Sequence, residues 1–283
     1  MRLAMSGIRM VARGFLFPEG PACRGDDLFI VDMHAGCVVQ IRADGSVSGL
    51  VPTGGRPNGL AFHRSGELYV ADSGRGAILR LSSDGIAPVA TGWTGGRFLG
   101  PNDLVFDRTG RLYFTDPGPS IPRADIGRVF CREPDGSIRI VAEGLAFPNG
   151  IALSRDERRL FVAETWTGRV LAFDRDDTGA IKGPTPYARV GGAVGPDGLA
   201  LDEAGNLYVA IYGDGVIRVV SPNGVVTREW PAGGQKPTNV AFGGPQRCTA
   251  FVTEAETGAV FAFDVDIPGL RLYGDGRGGN PFL

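Results

Sequence analysis

Residues 56–72 read RPNGLAFHRSGELYVAD, and much the same text returns three times: GPNDLVFDRTGRLYFTD at 100–116, FPNGIALSRDERRLFVAE at 147–164 and GPDGLALDEAGNLYVAI at 195–211. Two fainter copies are FPEGPACRGDDLFIVD at 17–32 and KPTNVAFGGPQRCTAFVTE at 236–254. The residues after the proline are Glu19, Asn58, Asn102, Asn149, Asp197 and Thr238, spaced by 39, 44, 47, 48 and 41 positions. Repeats of about 40–50 residues are the mark of propeller blades.

Each unit carries the parts of a small antiparallel sheet. In the clearest copy, Gly59–Phe62 and Glu67–Asp72 are short apolar runs around a turn at Gly66. Two further runs, 77–81 and 87–90, flank Asp84-Gly85. Asp-Gly and Asn-Gly pairs between apolar runs signal hairpins, and they recur at Asp44-Gly45, Asp135-Gly136 and Asn223-Gly224. Six units of four strands, without a long helical pattern, predict an all-β six-bladed propeller filling residues 1–283 as one domain. The stretch IRMVARGFLF at 8–17 resembles IRIVAEGLAF at 138–147, the outer strand of a blade and its link to the next. Residues 8–14 are therefore expected to close the last blade.

Composition narrows the function. The formal net charge is −2 over 283 residues, which gives no electrostatic footprint for nucleic acid and no attraction to an anionic membrane. The counts of 45 glycines and 20 prolines fit a chain of many turns. No run reaches the roughly 18 apolar residues of a membrane span. With no signal-like leader, a cytoplasmic location and four free thiols (Cys23, Cys37, Cys131, Cys248) are expected.

In a propeller, equivalent positions of all blades lie on one ring around the axis. The post-proline residues would then face one another at one mouth of the central channel. Glutamate, aspartate and asparagine oxygens so gathered suit a hard divalent cation such as Ca²⁺, Mg²⁺ or Mn²⁺. No G-x-S-x-G elbow or H-E-x-x-H motif is present, so the base is expected to be a carboxylate. Of the two histidines, His63 reads as a surface strand residue, and His34 lies in a loop that could approach the channel. DRDDTG at 174–179 reads as a hairpin turn. The loop at 117–127, PGPSIPRADIG, interrupts the blade pattern and reads as a rim.

The ordered set PEG, PND, PNG and PDG resembles the regucalcin/gluconolactonase (senescence marker protein) family over essentially the whole chain. The resemblance implies a propeller with one catalytic divalent metal, most often hydrolysing lactones of sugar acids. Ca²⁺ is the first expectation, with Mg²⁺, Mn²⁺, Zn²⁺ or Fe²⁺ as alternatives. It implies Glu19, Asn149 and Asp197 as metal ligands, Asp197 also as the base, and Asn102 as a ligand of substrate or metal. Asp103, next to Asn102, is a second carboxylate candidate. Sugar-binding members carry an arginine two residues before that asparagine; here the position is Gly100, with Arg97 three residues earlier. Arg97, Arg123 and Tyr212 are candidate substrate contacts. The expected partner is a small lactone or ester, and the expected assembly a monomer or small homo-oligomer. Phosphotriester hydrolysis on the same site, or a binding propeller without catalysis, are the competing readings.

Overall fold

The computed structural model describes residues 7–122 and 124–275. Six four-stranded antiparallel sheets follow one another around a ring. Blade 1 is β2 (Pro18–Arg24), β3 (Asp27–Asp32), β4 (Cys37–Ile41) and β5 (Val47–Pro52). Blade 2 is β6 (Pro57–Phe62), β7 (Leu68–Asp72), β8 (Ala77–Ser82) and β9 (Gly85–Ala90), followed by a small hairpin of β10 (Gly92–Trp93) and β11 (Gly96–Arg97). Blade 3 is β12 (Leu104–Phe106), β13 (Leu112–Asp116), β14 (Gly127–Arg132) and β15 (Ile138–Leu145). Blade 4 is β16 (Pro148–Leu153), β17 (Arg159–Glu164), β18 (Arg169–Arg175) and β19 (Ile181–Arg189). Blade 5 is β20 (Gly195–Leu201), β21 (Leu207–Tyr212), β22 (Val216–Val220) and β23 (Val226–Pro231). Blade 6 is β24 (Pro237–Gly243), β25 (Thr249–Glu254), β26 (Ala259–Asp264) and the N-terminal β1 (Arg9–Arg13).

The ring closes as the repeat predicts. β1 runs antiparallel to β26, with Arg9 opposite Ala262 and Arg13 opposite Ala259. The first and last strands thus share one sheet, and no blade is left with an open seam. The second strand of each blade is shielded on both faces: β7 (LYVAD) and β13 (LYFTD) are buried throughout. Such strands read as continuous apolar runs. The outer strand β5 is mostly exposed and mixes polar with apolar residues. Six apolar clusters form, one between each pair of neighbouring blades. Between blades 2 and 3, Phe98, Phe114 and Phe130 meet at ring-centroid distances of 5.1–5.3 Å.

Two local expectations shift. Ser82 pairs with Gly85, so the turn between β8 and β9 is Ser83-Asp84 rather than Asp84-Gly85. The apolar runs that follow each proline motif place the starts of the first strands near Gly20, Gly59, Asp103, Gly150, Gly198 and Asn239. Five of them begin two or three residues earlier and take in the proline and its polar successor, while β12 begins one later. A residue before proline is biased toward extended conformations, which favours an early start. Pairing then breaks between Glu19 and Ala22, Pro57 and Gly59, Pro148 and Ile151, Pro196 and Leu199, and Pro237 and Asn239. A bulge of this kind bends a strand and re-aims a side chain. Here it takes in the residue after the proline in four blades, and in blade 1 it falls directly after Glu19, which pairs with Val31.

The DRDDTG stretch is a turn between β18 and β19. Asp176 Oδ1 accepts the backbone N–H of Thr178 at 2.9 Å and of Ala180 at 3.0 Å. The four cysteines are unpaired. No helix among the described residues is long and apolar enough to cross a membrane. The far end of the channel is covered by residues 269–275. Leu270 N–H donates to Leu201 O at 2.8 Å, and Leu272, Tyr273 and Asp275 line a cavity of about 110 Å³ walled by the innermost strands.

Candidate metal centre

Glu19, Asn102, Asn149 and Asp197 are all buried, at 3–8% exposure, although Glu19, Asn149 and Asp197 lie at the start of innermost strands and Asn102 lies two residues before β12. The local sequence explains how the chain tolerates this. In five blades the second strand ends on an acid whose carboxylate takes backbone N–H groups of the link that precedes the same blade's opening proline. Asp32 accepts from Leu16 (2.8 Å) and Phe17 (3.0 Å), and Asp72 from Arg56 (2.8 Å). Asp116 accepts from Leu99 (2.9 Å) and Gly100 (2.7 Å), Glu164 from Ala146 (3.0 Å) and Glu254 from Lys236 (2.8 Å). These five acids hold the scaffold. In blade 5 the register puts Ile211 in the same place, opposite Pro196. Asp214 serves that link instead, accepting from Ala193 at 2.8 Å.

Threonine hydroxyls tie neighbouring blades together just beneath the mouth. Thr115 donates to Asn149 O at 2.7 Å, Thr165 to Pro196 O at 2.8 Å and Thr238 to Pro18 O at 2.8 Å. Thr238 therefore departs from the expected ring. Its hydroxyl is fully buried between blades 6 and 1 and also meets Thr253 Oγ1 at 2.8 Å. Asn58 is half-buried and directs its amide N–H to the Met33 sulfur at 3.8 Å.

Three acids communicate. Burial pushes Glu19 well above the usual carboxylate range, and the charges of Asp197 and Asp103 push it further. Burial and the charge of Asp103 do the same to Asp197, against a hydrogen bond from Asn149. Burial raises Asp103 to about 6, although it accepts from Leu104 N–H at 2.8 Å and Ile151 N–H at 3.3 Å. No arginine, lysine or histidine pairs with any of the three among the described residues. Like charges buried together without a counter-charge are strongly unfavourable. A cation among them reverses that sign.

The donor set fits a hard cation. Asn149 turns its amide N–H toward Thr165 Oγ1 (3.3 Å), which leaves its carbonyl oxygen free to act as a ligand. No three histidine, cysteine or acidic side chains converge in a geometry that could hold an ion among the described residues. Coordination would therefore combine carboxylate with amide oxygens. Oxygen-only sets suit Ca²⁺, Mg²⁺ and Mn²⁺.

One residue of the site escapes the post-proline pattern. Asn239 is buried at 7% and its side chain hydrogen-bonds both Glu19 and Asp103. It stands one position later in the repeat, where Gly20, Gly59, Gly150 and Gly198 stand in four other blades and Asp103 in the remaining one. The glycines are needed there. A Cβ on Gly59 would lie 2.6 Å from Asn102 O and 2.9 Å from Asp103 Oδ1, and a Cβ on Gly198 would overlap the Asn239 side chain. Asp103 and Asn239 therefore fill the channel in a layer that glycines leave open. The signal was in the sequence: two polar residues in a column of glycines.

The remaining candidates separate. Burial raises the Tyr212 phenol, and the charges of Asp197, Glu254 and Glu19 add to it, which puts Tyr212 beside the acids. Arg97 is exposed on the β10–β11 hairpin, outside the network of acids. Arg123 lies outside the described residues. His34 is exposed and packs on Phe17 at 4.8 Å. His63 is half-buried rather than a surface residue. It sits at the opposite end of the channel, 5.3 Å from Phe106 and 5.1 Å from Tyr273 between ring centroids.

Relatives carry the same architecture. The chain is 31% identical to a pentonolactonase of Haloferax volcanii over 131 residues, 46% of this chain and 45% of that one, so it matches about half of that relative's length. It is 29% identical to a gluconolactonase of Zymomonas mobilis over 251 residues, 77% of this chain and 70% of the relative. The structure of a gluconolactonase from Xanthomonas campestris superposes with a TM-score of 0.80 at 27% identity, covering 92% of this chain and 89% of that one. Residues 17–256 match the SMP-30/gluconolactonase/LRE-like region, and the chain belongs to that family.

Proposed function

We propose that this chain is a divalent-cation-dependent hydrolase that opens the ring of a small lactone. The observation that carries the reading is the group of buried acids, Glu19, Asp103 and Asp197, gathered at the channel mouth without a counter-charge. Its lactonase relatives support the choice of substrate class. Glu19, Asn149 and Asp197 would hold the cation, with Asn102 beside them. When bound, a divalent cation supplies Lewis-acid polarisation of the carbonyl oxygen under attack.

The residues of the chain do the rest. Asp197 accepts a proton from the attacking water as the water oxygen bonds to the carbonyl carbon. The ring C–O bond then breaks, and the proton passes to the departing alkoxide oxygen to give an open hydroxy acid. Asn239 braces Glu19 and Asp103, and together with Asp103 it fills the channel in the layer next to the acids. Tyr212 presents a phenol beside Asp197 for substrate contact. The small ligand needs no nucleic acid or membrane surface.

Acid release at constant pH tests the reading. A panel of lactones and a phosphotriester would be offered to the purified protein before and after treatment with a chelator. Lactone opening is expected, lost on chelation and restored by Ca²⁺, Mg²⁺ or Mn²⁺. Cleavage of the phosphotriester with no lactone opened would overturn the substrate class. A rate indifferent to chelation would overturn the role of the cation.

A further inference from the structure

Phe147 precedes Pro148 and stands two residues before Asn149. A residue before proline favours extended backbone, and left-handed backbone is costly for a side chain with a Cβ. Phe147 nevertheless has a φ of 62°. Blades 3 and 5 have glycine at the same position, Gly100 and Gly195. The conformation is held from both sides: Phe147 N–H donates to Leu145 O at 3.1 Å, and its carbonyl accepts Thr165 N–H at 3.1 Å. Thr165 is also the residue whose hydroxyl receives the Asn149 amide. The strip that orients a metal-site asparagine thus also fixes this ring. Strained backbone maintained at a binding site points to a role in holding ligand.

The ring has a companion. Trp166 packs on Phe147 at 5.4 Å between centroids, and both are half-buried. The indole N–H is closed off from solvent and has no hydrogen-bond acceptor among the described residues. The polar side chains nearby are already engaged. Thr165 donates to Pro196 O, and Thr167 and Arg169 both bind the Glu164 carboxylate. Blade 1, opposite blade 4 in the ring of six, presents Phe17 at the equivalent position, with Met33 beside it. The acids are thus framed by apolar surface from two opposite blades. No unpaired cation or hydroxyl stands at the blade 4 rim, among the described residues, to receive the hydroxyls of a sugar.

We propose that Phe147 and Trp166 form the wall that receives the substituent of the substrate, so that the site prefers a lactone bearing an aryl or alkyl group over a polyhydroxylated one. The proposal deepens the lactonase reading and rests on it for the reacting part of the substrate.

Phe147→Gly removes the ring and accepts the φ of 62° without strain. The readout is the ratio of kcat/KM for γ-phenyl-γ-butyrolactone to that for δ-gluconolactone. In the wild type this ratio is expected to exceed one. It is expected to fall by roughly tenfold or more in Phe147→Gly, since an apolar pocket contact is worth about that in discrimination. Phe147→Leu should recover part of it, and Trp166→Phe should lower it by a smaller factor. A ratio unchanged in Phe147→Gly, even with both rates reduced together, overturns the wall while leaving the lactonase reading intact. Should the wild type open neither lactone, that reading fails, and calorimetric binding of the γ-lactam counterpart of the phenyl compound decides the wall alone. Binding weakened about tenfold by Phe147→Gly supports it; equal binding, or none by the wild type, overturns it.

Discussion

Asp197→Asn is expected to lower lactone turnover by about 10²–10⁴-fold, the usual contribution of a positioned general base. The substitution keeps an oxygen donor at the channel mouth and removes the ability to take a proton. Cation content measured on the same preparation should stay close to that of the wild type, which separates loss of the base from loss of the ion. The environment of Asp197 makes the role plausible in physical terms. Burial and the charge of Asp103 raise it well above an ordinary aspartate, which increases its appetite for a proton, while an adjacent cation favours the ionised form needed to accept one. Near wild-type turnover with the ion retained would transfer the role of base to Asp103. That residue is the carboxylate of the group that is not among the proposed ligands, and it is also raised by burial.

The second large effect concerns stability, far from the mouth. Arg175 at the end of β18 crosses from blade 4 to blade 3 and pairs with Asp107, whose side chain is fully buried. Arg175 Nε donates to the Tyr113 hydroxyl at 2.9 Å, and Nη1 to Glu157 O at 3.0 Å. Asp107 also accepts the backbone N–H groups of Thr109 and Arg111, each at 2.9 Å. Arg175→Met keeps most of the volume but leaves the buried Asp107 with only the longer contact to Arg111 Nη1 at 3.5 Å as a counter-charge. Breaking such a pair from one side typically costs about 3–5 kcal/mol, or roughly 10 °C in Tm for a domain of this size. Thermal unfolding of the variant should show that loss. The double substitution with Asp107→Asn should lose less, because no uncompensated charge remains. A single variant as stable as the wild type would mean that the pair does not fasten blade 3 to blade 4.

Much of the fold was legible because each blade spells out its own turns. The Pro-polar-Gly start, the glycine at the first hairpin and the Asp-Gly or Asn-Gly near the second hairpin repeat often enough to count blades. The likeness of 8–17 to 138–147 located the closing strand before any pairing was known. Strand starts were misplaced because periodicity does not show a bulge. In five blades the proline and its successor belong to the strand, and the break in pairing takes in Asn149 and Asp197 and follows directly after Glu19. Thr238 occupies the same position in the repeat, yet a hydroxyl that can reach Pro18 O and Thr253 finds better partners between blades than in the channel. Asn239 is not legible from the post-proline column, because it stands in the next one, where glycine is the rule. The acids closing the second strands, Asp32, Asp72, Asp116, Glu164 and Glu254, repeat in five of the six blades. Their task of gathering backbone N–H groups becomes evident only from the path of the links.

The most direct measurement is a calorimetric titration of chelator-stripped protein with Ca²⁺, run in parallel on the wild type and on Glu19→Gln, with thermal unfolding recorded at the end of each. The wild type should take up one ion per chain at the channel mouth. At a hundredfold excess over Kd it should gain about 2.7 kcal/mol of stability through linkage. Glu19→Gln, which removes one of two carboxylates among the four proposed ligands, should bind far more weakly and show little or no gain. A wild type that takes up no divalent ion, or a Glu19→Gln variant that binds it equally well, would contradict the metal centre.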